Sequence, residues 1–220
     1  MSRQAADPGA RPDGLRARKK QRTRENISST ATELFLERGY DAVTIAEIAA
    51  AADVAKMTVT NYFPRKEDLV LDLAGEYVGG LAAVVRAREP GESALHALRR
   101  AYEAAARERD PVVGFSGPAF AGLLVSSPAL LARLREFHEE RENRLADALA
   151  AETDSAAGDF TPRVAAALLG SVHRALFEET LRRAVAGEPN DVIAAAVLGY
   201  IATAFDTLEP ALGTYAVRAG

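Results

Sequence analysis

Prolines and glycines cut this chain into segments of helical length, and that punctuation is the tightest constraint on its fold. Breaks stand at Glu89-Pro90-Gly91, Asp110-Pro111, Gly117-Pro118, Ser127-Pro128, Thr161-Pro162 and Gly187-Glu188-Pro189-Asn190. Proline costs a helix little in its first turn, where the N–H has no partner, but it stops a helix from within. Between the breaks, apolar residues recur every three or four positions, and no useful length of β-alternation or internal repeat is found. The fold class is therefore all-α. Beyond position 66 the spacing predicts a long helix over 66–88, then helices over 92–109, 117–125, 128–151, 162–186 and 190–208.

The N-terminal third carries the more specific pattern. From Arg22, Ile27, Ala31, Leu34 and Phe35 share one helical face, and Gly39 behind Arg38 ends that first helix. Thr44 with Glu47 makes a capping-box pattern for a second helix, whose inward stripe is Ile45, Ile48, Ala49 and Ala52. After a break at Asp53-Val54, a third short helix runs from Lys56 to Phe63 and is stopped by Pro64. On a helical wheel Lys56, Met57, Thr60 and Asn61 share one arc, and Thr58, Val59, Tyr62 and Phe63 the other. The first arc offers a cation for phosphate or guanine, an amide for adenine, and methyl groups for thymine. Alone, such a face is also what any solvated helix shows.

Charge is distributed to suit a protein that meets phosphate at one end. The whole chain carries a formal −4, but residues 1–24 hold eight basic and two acidic residues, and residues 1–70 hold 12 and 10. Residues 1–20 lack apolar periodicity and read as a flexible basic arm, either a DNA-contacting arm or a solvated tail. There are no cysteines, which excludes disulfides and thiolate chemistry. The absence of a long uncharged apolar run argues against a membrane span, and the absence of an apolar run after the first basic residues argues against a signal peptide; a cytoplasmic protein is expected.

Residues 22–69 resemble the DNA-binding domain of the TetR family of transcriptional regulators. The resemblance is carried by Ala31, Leu34, Phe35, Gly39-Tyr40, Thr44, Ile48-Ala49, Ala52, Val54, Thr58, Tyr62-Phe63, Lys66 and Leu69. It implies a helix-turn-helix over 44–63, inside a DNA-binding domain over 21–81, and an effector-binding and dimerisation domain over 82–220. It also implies a ligand-responsive repressor that acts as a homodimer on a palindromic operator in double-stranded DNA. Thr44 would touch phosphate, the third helix would read bases, Tyr62 and Lys66 would hold the DNA backbone, and Arg22 opens the set of candidate contacts, with Lys56, Met57, Thr58, Thr60 and Asn61. Three departures stand out, at Asp53, Ala55 and Thr60. Asp53-Val54-Ala55 replaces the family's frequent Gly-Val-Ser, leaving no hydroxyl to cap the third helix, and Thr60 replaces a common Tyr.

The body shows helices apolar on more than one side, as expected where they bury against both a core and a second copy. Val164, Leu168 and Val172, with Ile193, Val197, Tyr200, Ile201 and Leu208, are the expected four-helix dimer interface. Candidate effector contacts are Tyr102, Phe115, Phe120, Phe137, His138, Arg141, His173 and Phe177, with the glycine- and proline-rich stretch 110–128 lining and gating the pocket. Arg141 interrupts an apolar stripe. It is either an anchor for an anionic ligand or the partner of a carboxylate such as Glu178 or Glu179, and the carboxylate is the favoured reading. The segment 44–69 further resembles family members that accept acyl-coenzyme A, which implies an acyl-type small-molecule effector.

Other function classes find less support. His96, His138 and His173 are far apart in sequence, with no Glu-x-x-His pair and no glycine-rich phosphate loop, so no metal, cofactor or catalytic residue is expected. A helical adaptor that does not bind DNA is the alternative for the same helices.

Overall fold

The computed structural model describes residues 12–72 and 74–220, and among them every regular element is helical. The chain divides into two compact units, with the boundary between Asp72 and Leu73.

In the N-terminal unit, α1 (Pro12–Arg38) buries Ile27, Ala31, Leu34 and Phe35 against α2 (Ile45–Ala51) and α3 (Lys56–Tyr62). The basic arm expected over 1–20 is corrected in part. Residues 12–20 continue α1, and residues 1–11 lie outside the described residues. Arg16 to Gln21 are all exposed, so this stretch buries no apolar stripe. It forms because straight-chain residues such as Arg, Lys and Gln lose little freedom in a helix, assisted by the i,i+4 bond from Gln21 Nε2 to Glu25 Oε1 at 2.9 Å.

The long helix expected over 66–88 is two pieces. A 3-10 turn, Glu67–Leu69, sinks Leu69 and Val70 into the N-terminal core, and α4 (Ala74–Arg86) starts afresh in the second unit. The unit boundary therefore falls nine residues before the expected 81/82 division. The two apolar stretches serve different cores, a distinction that helical spacing alone does not record.

In the C-terminal unit α4 packs on α7 (Pro128–Glu152), which also meets α8 (Thr161–Val185). Helix α5 (Ala94–Glu108) packs on α9 (Asn190–Leu212), and α6 (Pro118–Ser126) lies against α7 and α8. A second 3-10 turn, Pro111–Val113, abuts α8 through Gly114. There φ is +98°, and a Cβ would stand 2.8 Å from the Phe177 carbonyl oxygen, so only glycine fits. Buried Arg88 secures the chain end by donating from Nε to Ala216 O at 2.9 Å and pairing with Glu152 at 2.6 Å.

Helix α9 is, among the described residues, the helix long and apolar enough to cross a membrane. Its Ile193, Val197, Ile201 and Phe205 are fully buried in this unit, which corrects their expected place: Ile193, Val197 and Ile201 belong to the protomer's own core. The apolar residues of α9 left exposed are Val192 and Tyr200; on α8 Val164 (44% exposed) and Leu168 (38% exposed) are exposed, with Val172 and Leu208 half-buried.

Candidate nucleic-acid interface and effector site

The turn before α3 is built as its residues demand. Thr44 caps α2, its Oγ1 accepting from Glu47 N at 3.2 Å while its own N–H donates to Glu47 Oε2 at 2.8 Å. The Thr44 N–H, the Thr44 hydroxyl donating to Oε2 at 2.8 Å, and Arg38 at 3.0 Å hold the Glu47 carboxyl below its usual range. Asp53 adopts φ +53°, a left-handed conformation that Asp tolerates better than most residues. Ala55 precedes α3 without a side-chain cap, as its lack of a hydroxyl requires.

The two arcs of α3 separate in space as they do on the wheel. Val59 and Phe63 are buried, Thr58 and Tyr62 are half-buried, and Lys56, Met57, Thr60 and Asn61 are exposed, with Met57 at 69%. Burying Val59 and Phe63 contributes about 1.5–3 kcal/mol each to seating the helix. Thr60 Oγ1 donates back to Met57 O at 3.1 Å.

Arg24 braces this arrangement, a role with no distinct mark in a sequence where it is one cation among eight. Its guanidinium lies 4.5 Å over the Phe63 ring, donates from Nη1 to Tyr62 O at 3.2 Å and pairs with Asp72 at 2.5 Å. Asn26 Nδ2 donates to Ala52 O at 3.0 Å, fixing α1 to the end of α2. Lys66, a candidate backbone contact, is turned inward: Nζ donates to Tyr40 O at 2.5 Å and lies 4.2 Å over the Tyr40 ring. Burial lowers its pKa. Arg22 is exposed on α1.

In the C-terminal unit the structure gathers Tyr102, His138, Arg141, His173 and Phe177 around Tyr77 of α4, which sequence reasoning missed. Tyr77 Oη lies 2.9 Å from His138 Nδ1 and 2.7 Å from His173 Nε2. A phenol has one proton, so it donates to one imidazole and accepts an N–H from the other. The two histidines, 35 positions apart in sequence, stand with ring centroids 5.5 Å apart because α7 and α8 are packed neighbours. Burial, followed by Arg174 and Arg141, lowers the His138 pKa to about 4; burial, then Arg141, lowers that of His173. Both rings are neutral near pH 7.

The favoured carboxylate partner for Arg141 is corrected. Glu179 is held by Arg182 at 2.7 Å and Arg183 at 2.8 Å, and Arg141 lies over the Tyr77 ring at 4.5 Å. Of the other candidates, Phe137 stacks beneath Arg133, Phe115 is buried, and Phe120 is half-buried. A cavity of about 440 Å³ opens between α6, α7 and α8, walled by Leu131, Leu134, His138, Phe177 and Leu181, together with the charged Arg135, Glu178 and Arg182. Of the 110–128 stretch only Val125 reaches it. No group of three or more His, Asp or Glu side chains placed to hold a metal ion occurs among the described residues.

Comparison with known proteins bears on both units. Residues 27–73 match the family described as bacterial regulatory proteins, tetR family. The chain is 35% identical over 205 residues to the HTH-type transcriptional regulator TcmR of Streptomyces glaucescens, covering 90% of this chain and 88% of that protein. Among solved structures, Salmonella enterica GusR is 19% identical with a TM-score of 0.53, covering 87% of this chain and 95% of its own. Native NalD, the secondary repressor of the MexAB-OprM multidrug efflux pump in Pseudomonas aeruginosa, is 21% identical with a TM-score of 0.54, covering 84% and 97%. At those two identities the structural likeness speaks to the fold alone.

Proposed function

Since the chain belongs to the TetR family of bacterial regulatory proteins, we propose that it is a homodimeric repressor released from a palindromic operator by a small, largely apolar effector. The protein is a DNA-binding transcriptional regulator, and the family is one of regulators rather than enzymes. It works in the cytoplasm, where its operator is.

The reading rests on the outward arc of α3, where Lys56, Met57, Thr60 and Asn61 are exposed on a helix seated by buried Val59 and Phe63. In it Lys56 and Asn61 meet base edges, Met57 and the methyl groups of Thr58 and Thr60 contact thymine, and Thr44, Tyr62 and Arg22 approach phosphate. Lys66, held against Tyr40, acts by fixing the loop after α3. Two copies associate through the outward faces of α8 and α9, so that their α3 helices enter grooves about 34–36 Å apart. Exposed apolar side chains on both helices, Val164 and Leu168 of α8 and Val192 and Tyr200 of α9, support that choice of surface.

The cavity beside His138 and Phe177 receives the effector. Helix α4 carries Tyr77 beside it and follows the DNA-binding unit directly along the chain, giving a covalent route for the response. Effector-bound dimer favours a spacing other than the operator's, and reciprocity requires DNA to weaken effector binding by the same factor.

Fluorescence anisotropy with duplexes tiling the DNA upstream of the protein's own coding region tests the reading. Asn61→Ala is expected to cost about 1–3 kcal/mol on the preferred duplex and to relax discrimination at one base pair. Binding that is equally tight on every duplex and indifferent to Asn61→Ala would overturn it.

A further inference from the structure

Two walls of the effector cavity, His138 and Phe177, pack on His173, which belongs to a group of residues whose buried polar atoms lack partners. Arg141 is 3% exposed, and its Nε and Nη1 make no hydrogen bond; neither do Tyr102 Oη and His173 Nδ1. Native proteins rarely leave such groups unsatisfied, least of all a guanidinium, which cannot shed its charge. Here four donor or acceptor atoms on three helices are left so together.

We infer that Arg141, Tyr102 and His173 form a seat for the oxyanion of an organic acid, a carboxylate, sulfonate or ionised enol, whose apolar body occupies the adjoining cavity. This rests on the effector-release reading above and gives its ligand a chemical class.

The electrostatics favour an anion over a neutral ligand. The charges that act on Tyr102, His138 and His173 are Arg141, Arg174 and the neighbouring imidazole, with no carboxylate among them. Both imidazoles resist protonation and do not supply a competing cation, while the nearby Arg174 raises the positive potential. Where Tyr77 donates to His173 Nε2, the proton of that ring lies on Nδ1, the atom without a partner, which then donates to the ligand. Tyr102 Oη contributes a further O–H. An oxyanion with several lone pairs satisfies this donor set, and a neutral hydrocarbon satisfies none of it.

The test uses the full chain and two fluorescent probes of similar aromatic body, anionic 8-anilino-1-naphthalenesulfonate and neutral N-phenyl-1-naphthylamine. Arg141→Met keeps the side-chain length without the charge, and Tyr102→Phe removes only a hydroxyl, whose polar neighbour is Arg141. The seat predicts that Arg141→Met weakens the sulfonate by about 10- to 100-fold, that Tyr102→Phe weakens it by a smaller factor, and that both leave the neutral probe within about twofold. Arg141→Met should also melt at a higher temperature than the parent without ligand, because an uncompensated buried charge is gone. Unchanged sulfonate affinity in both variants, or parallel loss of both probes, overturns the assignment. Operator anisotropy in the same samples separates the two claims: Arg141-dependent sulfonate binding that leaves DNA affinity untouched defeats effector release and leaves the anion seat standing.

Discussion

Arg24 and Arg22 lie two residues apart on α1, and composition counts them together, yet the structure engages Arg24 and leaves Arg22 exposed. Arg24 pairs with Asp72, donates to Tyr62 O and covers the Phe63 ring, so its loss should loosen α3 without removing a phosphate contact. The ion pair is partly exposed, at 34% and 22%, and is worth about 0.5 kcal/mol after screening. The bond to a carbonyl adds about 1 kcal/mol and the cation–π contact about 0.5 kcal/mol. Together these make about 2 kcal/mol, or about 30-fold in the equilibrium for opening α3. Arg24→Met retains the stem over Phe63 and deletes the rest. Hydrogen exchange on the DNA-free protein should show the Val59 and Phe63 amides exchanging faster by about that factor. The salt dependence of DNA binding should keep its slope in Arg24→Met and become shallower by about 0.9 per protomer in Arg22→Ala. If Arg24→Met flattened the salt slope and left the α3 amides protected, the brace would be wrong and Arg24 would be a phosphate ligand.

The remaining predictions concern the cap, the dimer face and the buried histidines. Thr44→Ala removes a capping box and should destabilise the N-terminal unit by about 1 kcal/mol, read from exchange of the Ile48 amide. Leu168→Glu, on the outward face of α8, should shift sedimentation from dimer towards monomer with little change in helix content, whereas Ile201→Ala, in the core, should cost about 2–5 kcal/mol in stability and leave association intact. His138 is harder to protonate when folded, with a pKa near 4 against an ordinary value of 6.5, so the unfolded chain binds the extra proton first. Stability of the C-terminal unit should therefore be fully present above about pH 6.5 and fall as pH drops from there towards 4, and His138→Phe should flatten that limb in melts run across the range.

How far the sequence reached depends on the range of the interactions concerned. The capping box at Thr44 and Glu47, the left-handed Asp53, the uncapped Ala55 and the two arcs of α3 are set by residues within one or two turns, and each was legible from spacing. So was all-helical architecture, since proline and glycine act locally on the backbone that carries them. The helical state of residues 12–20 is not legible in the spacing, because an exposed helix needs no apolar stripe. Ile193, Val197 and Ile201 were legible as apolar but not as core against interface, because one hydrophobic pattern serves both kinds of burial.

Long-range choices belonged to the tertiary structure. Whether Arg141 met a carboxylate depended on how α7 and α8 pack, and Glu179 is engaged by two arginines of its own helix. Tyr77 became the hub between two histidines distant in sequence because α4, α7 and α8 converge there, and Lys66 turned inward because Tyr40 offered a carbonyl and a ring. A helix's periodicity states which side avoids water. Only packing decides which neighbour that side meets, and therefore which polar atoms are left without one.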